Sequence, residues 1–413
     1  MNVMDYYHRG CDLVQDGDYD GAIDVFNEGL AEYPDDFSLL NRRASTWERK
    51  GEKEKALADF TRMIALRPDN ADGWNGRGNL YHELKEYDKA IADFTQCIPL
   101  SPPDYGTYWS NRGISYYAKG DLDAALADLT ASIETWRDDD CTGWARFHRG
   151  LVWRKKGELE KALADFTLAA AYDPQDSDTY YQVGYIWFLR EEYDKAIEWF
   201  SKAIGAKDSD ADYWLARGVC YWTLCKNDLI GFWDEGGEVI DRAIDDFTKA
   251  IALAPDRAEA YFDRGVVYCF KARESNNLIK AIVMQKATDE AERVVMLAKL
   301  EQIGGKAFIP QMDALLRGLR SNRDQVDVIM SKSFALFAED DAREAIEDLS
   351  RAIELDPNNG EAYYQRGLAY GLLGRRDQAL ADYEQTCALD PNHEKAAGKR
   401  DELKNNQQPR PEG

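Results

Sequence analysis

Residues 71–102 read ADGWNGRGNLYHELKEYDKAIADFTQCIPLSP, and the fold follows from this stretch. It predicts two helices and a turn. On the first helix Trp74, Gly78 and Tyr81 are spaced by four and three and so share one face. On the second, Ala90, Phe94 and Cys97 do the same, and Pro102 closes it because the residue before a proline disfavours the helical region. A glycine inside a helix costs about 1 kcal/mol against alanine, so Gly78 implies close approach of the second helix, with Ala90 read as the residue facing it. One such hairpin buries too little apolar surface to stand alone, so it requires copies.

The copies recur every 34 residues. Upstream stand Leu40, Ala44, Trp47, Ala56, Phe60 and Pro68, and before them Tyr6, Gly10, Leu13, Ala22, Phe26 and Pro34. Downstream come Trp109, Gly113, Tyr116, Ala125 and Leu129, then Gly150, Trp153, Ala162 and Phe166, then Tyr180, Gly184, Trp187, Ala196 and Phe200. This W-x2-L-G-x2-Y…A-x3-F…P spacing resembles the tetratricopeptide repeat. The resemblance implies an all-α fold, an α-solenoid in which helical hairpins stack into a right-handed superhelix that binds peptides or proteins along its concave side.

Taken in order, residues 3–257 form an N-terminal array of seven repeats. The seventh carries thirteen extra residues near 222–242, with Leu229, Ile230, Phe232 and Trp233 as an apolar tip of a lengthened hairpin and a second helix starting late, around Ala243. The eighth opens at Ala258, and the signature then lapses until Val326. Residues 258–325 are read as a divergent repeat or a helical insertion. Retained phase favours two eroded repeats, although Lys271–Gln325 is net basic, with ten basic against seven acidic residues. Clear repeats return at 326–359 and 360–393, a polar capping helix follows to residue 404, and the tail 405–413 has the composition of a disordered segment.

A formal charge of −24 over 413 residues argues against nucleic acid or an anionic membrane as partner. It fits a protein or peptide partner of basic or neutral character, although acidity serving solubility alone explains the same number. No apolar run reaches the ~18 residues of a membrane span, and MNVMDYYHRG has no signal-peptide core, so the expectation is a cytoplasmic protein. Seven scattered cysteines fit reduced thiols. His8, His82, His148 and His393 fall in different repeats, Cys220 and Cys225 read as core thiols, and no phosphate loop, metal spacing or paired nucleophile and base is present. The expectation is therefore no enzyme, no cofactor and no metal.

Arginine occupies the seventh place of most copies, at Arg9, Arg43, Arg77, Arg112, Arg149, Arg217 and Arg366. Aspartate occupies the twenty-third, at Asp59, Asp93, Asp128, Asp165, Asp246 and Asp382. In the sixth copy both change together, to Val183 and Trp199. That joint change predicts an ion pair tying the two helices of each hairpin, so the arginine row is structural rather than an anion site. Arg9 faces Val25 and escapes the pattern, and Arg264 is set opposite Lys280.

The resemblance also implies which places line the concave groove: the second, fifth, sixth, ninth, twelfth and thirteenth of each first helix. The N-terminal part is polar there, with Asn41, Arg42, Asn75, Asn79, His82, Ser110 and Asn111. From the fifth copy it turns aromatic, with Trp144, Phe147, Tyr181, Tyr185, Phe188, Trp222, Phe262 and Phe270, then Phe334, Phe337 and Tyr364. Asparagines can hold a peptide backbone and exposed rings can anchor a partner, while packing of the rings on neighbouring repeats or on residues 271–325 is the competing reading. Asn75, Trp144 and His148 stand where the family's carboxylate clamp carries cations, so that clamp is not expected. The function expected is a non-catalytic scaffold or adaptor. The alternative is an acidic inhibitor or immunity-type protein that sequesters a basic enzyme or toxin.

Overall fold

The computed structural model describes residues 2–102, 104–136, 139–226, 236–284 and 323–405, with side chains described for these except 139–141, 236–237, 278–284 and 323–337. The described residues form α-helices joined by short turns, in two compact units divided along the sequence between Thr179 and Tyr180.

The first unit holds five hairpins. They are α1 (Val3–Gln15) with α2 (Tyr19–Glu32), α3 (Phe37–Lys50) with α4 (Lys53–Leu66), α5 (Ala71–Glu83) with α6 (Tyr87–Cys97), α7 (Thr107–Lys119) with α8 (Leu122–Thr135), and α9 (Asp139–Lys155) with α10 (Leu159–Tyr172). The second unit continues with α11 (Ser177–Leu189) and α12 (Tyr193–Ala206), then α13 (Ala211–Lys226) and α14 (Gly236–Leu253). Next come two long helices, α15 (Ala258–Met284) and α16 (Arg323–Leu355), followed by α17 (Gly360–Leu372), α18 (Arg376–Leu389) and a last helix, α19 (Glu394–Asn405).

Apart from the second, each hairpin closes on the glycine of its first helix, but the facing group differs from the one expected. A Cβ on Gly78 would meet the Phe94 ring at 2.9 Å, so it is Phe94 rather than Ala90 that requires the glycine. The same contact recurs between Gly150 and Phe166 at 2.7 Å and between Gly218 and Phe247 at 2.8 Å. These phenylalanines are fully buried, each contributing about 1.5–3 kcal/mol by leaving water. Where Ala44 replaces the glycine, the Phe60 ring lies instead against Gly76 of the next hairpin.

The arginine row forms the expected clamps. Arg43, Arg77, Arg112, Arg149, Arg217 and Arg366 each donate through Nε and Nη2 to both oxygens of Asp59, Asp93, Asp128, Asp165, Asp246 and Asp382, at 2.6–2.9 Å. The third nitrogen, Nη1, reaches back to the preceding hairpin. It donates to Asn27, Thr61, Thr95, Thr130, Ser201 and Ser350 in turn. The guanidinium of Arg77 is further flanked by Trp74 and Tyr81, and that of Arg217 by Trp214 and Tyr221. A planar five-donor group thus locks a hairpin internally and registers it on its neighbour. In the sixth hairpin Val183 is buried and Trp199 packs beside Tyr180. Among the described residues Arg9 makes an exposed contact with Glu28 at 3.8 Å in place of the clamp.

The eighth hairpin departs from the sequence reading. Arg264 is not set opposite Lys280: it makes the same two-toothed bond to Asp348, at 2.8 Å to each oxygen, across a sequence separation of 84 where the regular hairpins have 16. A Cβ on Gly265 would meet Leu349 at 2.8 Å, and Cys269, Ala345 and Leu349 share one core. So α15 and α16 are the two helices of a single hairpin, and everything between them is an insertion into it. Residues 326–359 do not form a hairpin of their own, because Arg323–Leu355 is one continuous helix. The excess separation equals two repeat lengths, which is why the phase survives across it.

The seventh hairpin is also longer than its neighbours, with Arg217 and Asp246 29 residues apart. Its second helix starts at Gly236 rather than near Ala243, since Val239 and Ile240 add a further buried turn below Trp222 and Cys225. The expected apolar tip, Leu229, Ile230, Phe232 and Trp233, lies outside the described residues, as does the tail from residue 406.

Candidate interaction groove

In the first unit several of the polar places are hydrogen-bonded. Asn111 donates to Asn75 at 3.2 Å, Arg42 donates to the Tyr7 hydroxyl through Nε at 2.9 Å and Nη2 at 2.6 Å, and the His82 ring bonds the Ser115 hydroxyl at 3.0 Å. Asn41 is half-buried and Asn79 exposed. The aromatic places of this unit differ sharply. Phe147 packs against Phe166 with ring centres 5.7 Å apart, whereas Trp144 is 60% exposed and rests edge-on against His148 at 4.3 Å. His148 is held at about 4 by burial, with a smaller contribution from His82, and its Nε2 has no hydrogen-bond partner among the described residues.

In the second unit the predicted residues converge. Tyr181, Tyr185 and Phe188 of α11 line one cavity of about 510 Å³ together with Phe262 of α15 and Leu215 and Val219 of α13. Tyr185 stacks between Tyr181 and Phe188, each 6.3 Å away, because places four and three apart on a helix share a face. Tyr181 also leans on Phe200 and Tyr213, at 5.5 and 5.3 Å, so these rings are half-buried rather than fully exposed.

Trp222, Phe270 and Tyr364 belong to a second cavity, of about 700 Å³. Trp222 and Phe270 meet edge to face at 5.0 Å, and Tyr364 lies 4.7 Å from the His393 ring. Trp222 and Tyr364 are 9% and 8% exposed. For these two the reading as exposed anchors is corrected: they pack on neighbouring helices and offer only an edge. Phe334 and Phe337 fall outside the described side chains.

Charged groups missed by the sequence reading share the first of these cavities: Asp212, Arg257, Glu259 and Asp263. Asp212, Glu259 and Asp263 stand at second and sixth places, the same groove places that gave the aromatics, so their position was available in the repeat register. Arg257 bonds Asp212 and, at 3.4 Å, Glu259. Burial, and then Glu259, push the Asp263 carboxyl up to about 7.

Cys97, Cys220 and Cys225 are buried, and burial pushes the Cys97 and Cys220 thiols up to about 12. Among the described residues no group of three or more histidine, cysteine or carboxylate side chains could hold a metal ion, and no helix is long and apolar enough to cross a membrane.

Comparison with known proteins accords with this architecture. Residues 7–71, 110–177 and 149–211 match one tetratricopeptide repeat pattern, 71–104 and 360–393 a second, and 335–374 a TPR repeat pattern, together more than half of the chain. The chain belongs to the tetratricopeptide repeat family. Among solved structures, the C-terminal part of a TPR repeat-containing protein from Cytophaga hutchinsonii is 15% identical, covering 78% of this chain and 97% of that one with a TM-score of 0.50, a likeness of fold. A tetratricopeptide repeat protein from Parabacteroides merdae is 19% identical over 61% of this chain and 93% of its own, TM-score 0.47. YrrB, described as a TPR protein with an unusual peptide-binding site, is 25% identical over 44% and 92%, TM-score 0.36. Arrays of this family are in general scaffolds for protein–protein interaction, and this chain carries that architecture.

Proposed function

We propose that the chain is a non-catalytic scaffold or adaptor that holds a protein or peptide segment against the groove places of its first helices. The observation that carries this reading is the convergence of Tyr181, Tyr185, Phe188 and Phe262, four residues at the groove places that the family resemblance implies, on one cavity. Half-buried rings held by neighbouring rings are pre-ordered, so a partner side chain entering between them loses little to immobilisation of the receptor. Clefts of a few hundred Å³ lined by aromatics with a few polar groups are the usual form of a binding site. The exposed Trp144 offers a separate anchor in the first unit.

The test is capture of partner from the source cell by the wild-type chain and by the Tyr181→Ala, Tyr185→Ala, Phe188→Ala triple variant. Capture should be lost while helicity is kept. Equal capture by both would remove the groove assignment. The sequestering alternative rests on the net charge of −24 and is separated from aromatic anchoring by its salt response.

A further inference from the structure

The aromatic cavity of the second unit carries an imbalance of charge. Arg257 already serves two of its carboxylates, Asp212 and Glu259. Asp263 lines the same cavity as the rings and, among the described residues, its carboxylate has no side-chain hydrogen bond or ion pair. Three carboxylates therefore face one guanidinium in a space of about 510 Å³, enough for one long side chain and the backbone that bears it. Asp263 is half-buried; a carboxylate partly withdrawn from water and left unpaired is unfavourable, and an entering cation removes that penalty. Ring faces attract cations as well, so the rings and the carboxylate select the same occupant.

We propose that this cavity takes the cationic side chain, arginine or lysine, of a bound protein segment, with Asp263 as its counter-charge and Tyr181, Tyr185, Phe188 and Phe262 around its aliphatic stem. This rests on the groove reading above and narrows the partner to one that presents a basic residue there. It also gives the acidity of the chain a local use.

The probe is a random dodecapeptide library displayed on phage, selected on the full chain, with synthetic copies of the selected peptides for titration. The selected peptides should share an arginine or lysine at one position and lose binding to Tyr185→Ala. Replacing that residue by glutamine, or Asp263 by asparagine, should weaken binding at least about tenfold. A measurement on the wild type stands beside the variant. Tyr181 and Tyr185 from α11, Asp212 from α13, Arg257 before α15 and Glu259 on α15 face the same space as Asp263. With an arginine peptide, which keeps its charge, affinity should fall several-fold from pH 7.5 to 6 as the Asp263 carboxyl, held at about 7, takes up its proton, and Asp263→Asn should lack that fall.

Peptides that need Tyr185 but share no basic residue would overturn the cation assignment and leave the groove reading standing. No peptide that needs Tyr185 would overturn both. Competition by a synthetic peptide of residues 285–322 would assign the cavity to this chain's own segment and overturn the partner.

Discussion

The pairing of Arg264 with Asp348 decides whether α15 and α16 are one hairpin, and a double-mutant cycle measures it. The two side chains are 17% and 5% exposed and share two bonds of 2.8 Å, while Arg264 Nη1 also donates to Thr248 at 2.9 Å. Burial keeps the Asp348 carboxyl above the usual carboxylate range even against the opposing pull of Arg264, a sign of how strongly the site is desolvated. Arg264→Leu leaves that carboxylate buried and unpaired, at a cost of about 3–5 kcal/mol, and Asp348→Leu strands the guanidinium at a similar cost. The double variant leaves neither charge behind, so its cost should fall short of the sum by about 2–3 kcal/mol. Native-state hydrogen exchange over residues 260–276 and 342–355 reads the opening free energies of both helices. Both segments should lose protection together in each single variant. Costs that add to within about 0.5 kcal/mol, or loss of protection in one segment only, would falsify the split hairpin.

Lys85 and Glu191 sit at φ +61° at the turn between helices where other hairpins place Gly51, Gly120 or Gly157. Lys85→Gly and Glu191→Gly should each stabilise by about 0.5–1 kcal/mol, read as a higher thermal midpoint, because relief of the left-handed strain exceeds the added freedom of the unfolded chain. Gly150→Val, with its Cβ 2.7 Å from the Phe166 ring, should destabilise by about 1–3 kcal/mol in denaturant titration, and a loss below about 0.5 would show that the ring can give way. His148 is protonated near pH 6.5 when unfolded but only near 4 when folded, so its contribution is present above pH 6.5 and is lost as pH falls through 4. That loss amounts to roughly 3 kcal/mol, and His148→Gln should flatten the corresponding part of a stability–pH curve. Partner capture through aromatic anchors should survive 0.5 M salt with a loss of about tenfold or less, whereas sequestration by net charge should fall by orders of magnitude.

The all-α hairpin array and the arginine–aspartate clamps were legible in the sequence because each depends on contacts between residues at fixed offsets within one repeat. A helix face, a buried glycine and a bidentate pair 16 residues apart recur with the period, so repetition raises them above chance. The hydroxyls and amide that receive Arg Nη1 recur too, at the twenty-fifth place, and could have been found the same way. What periodicity could not supply was the partner of α15. An insertion as long as two repeats keeps the phase of two repeats, and only the spatial pairing of Arg264 with Asp348 distinguishes them. The same holds for the groove. Register named Tyr181, Tyr185, Phe188, Trp222 and Phe262 alike, but whether a ring borders open space or is covered by the next helix depends on packing between hairpins. Trp222 is buried and the other four surround a cavity with Asp263, and sequence spacing within a repeat carries no information on that difference.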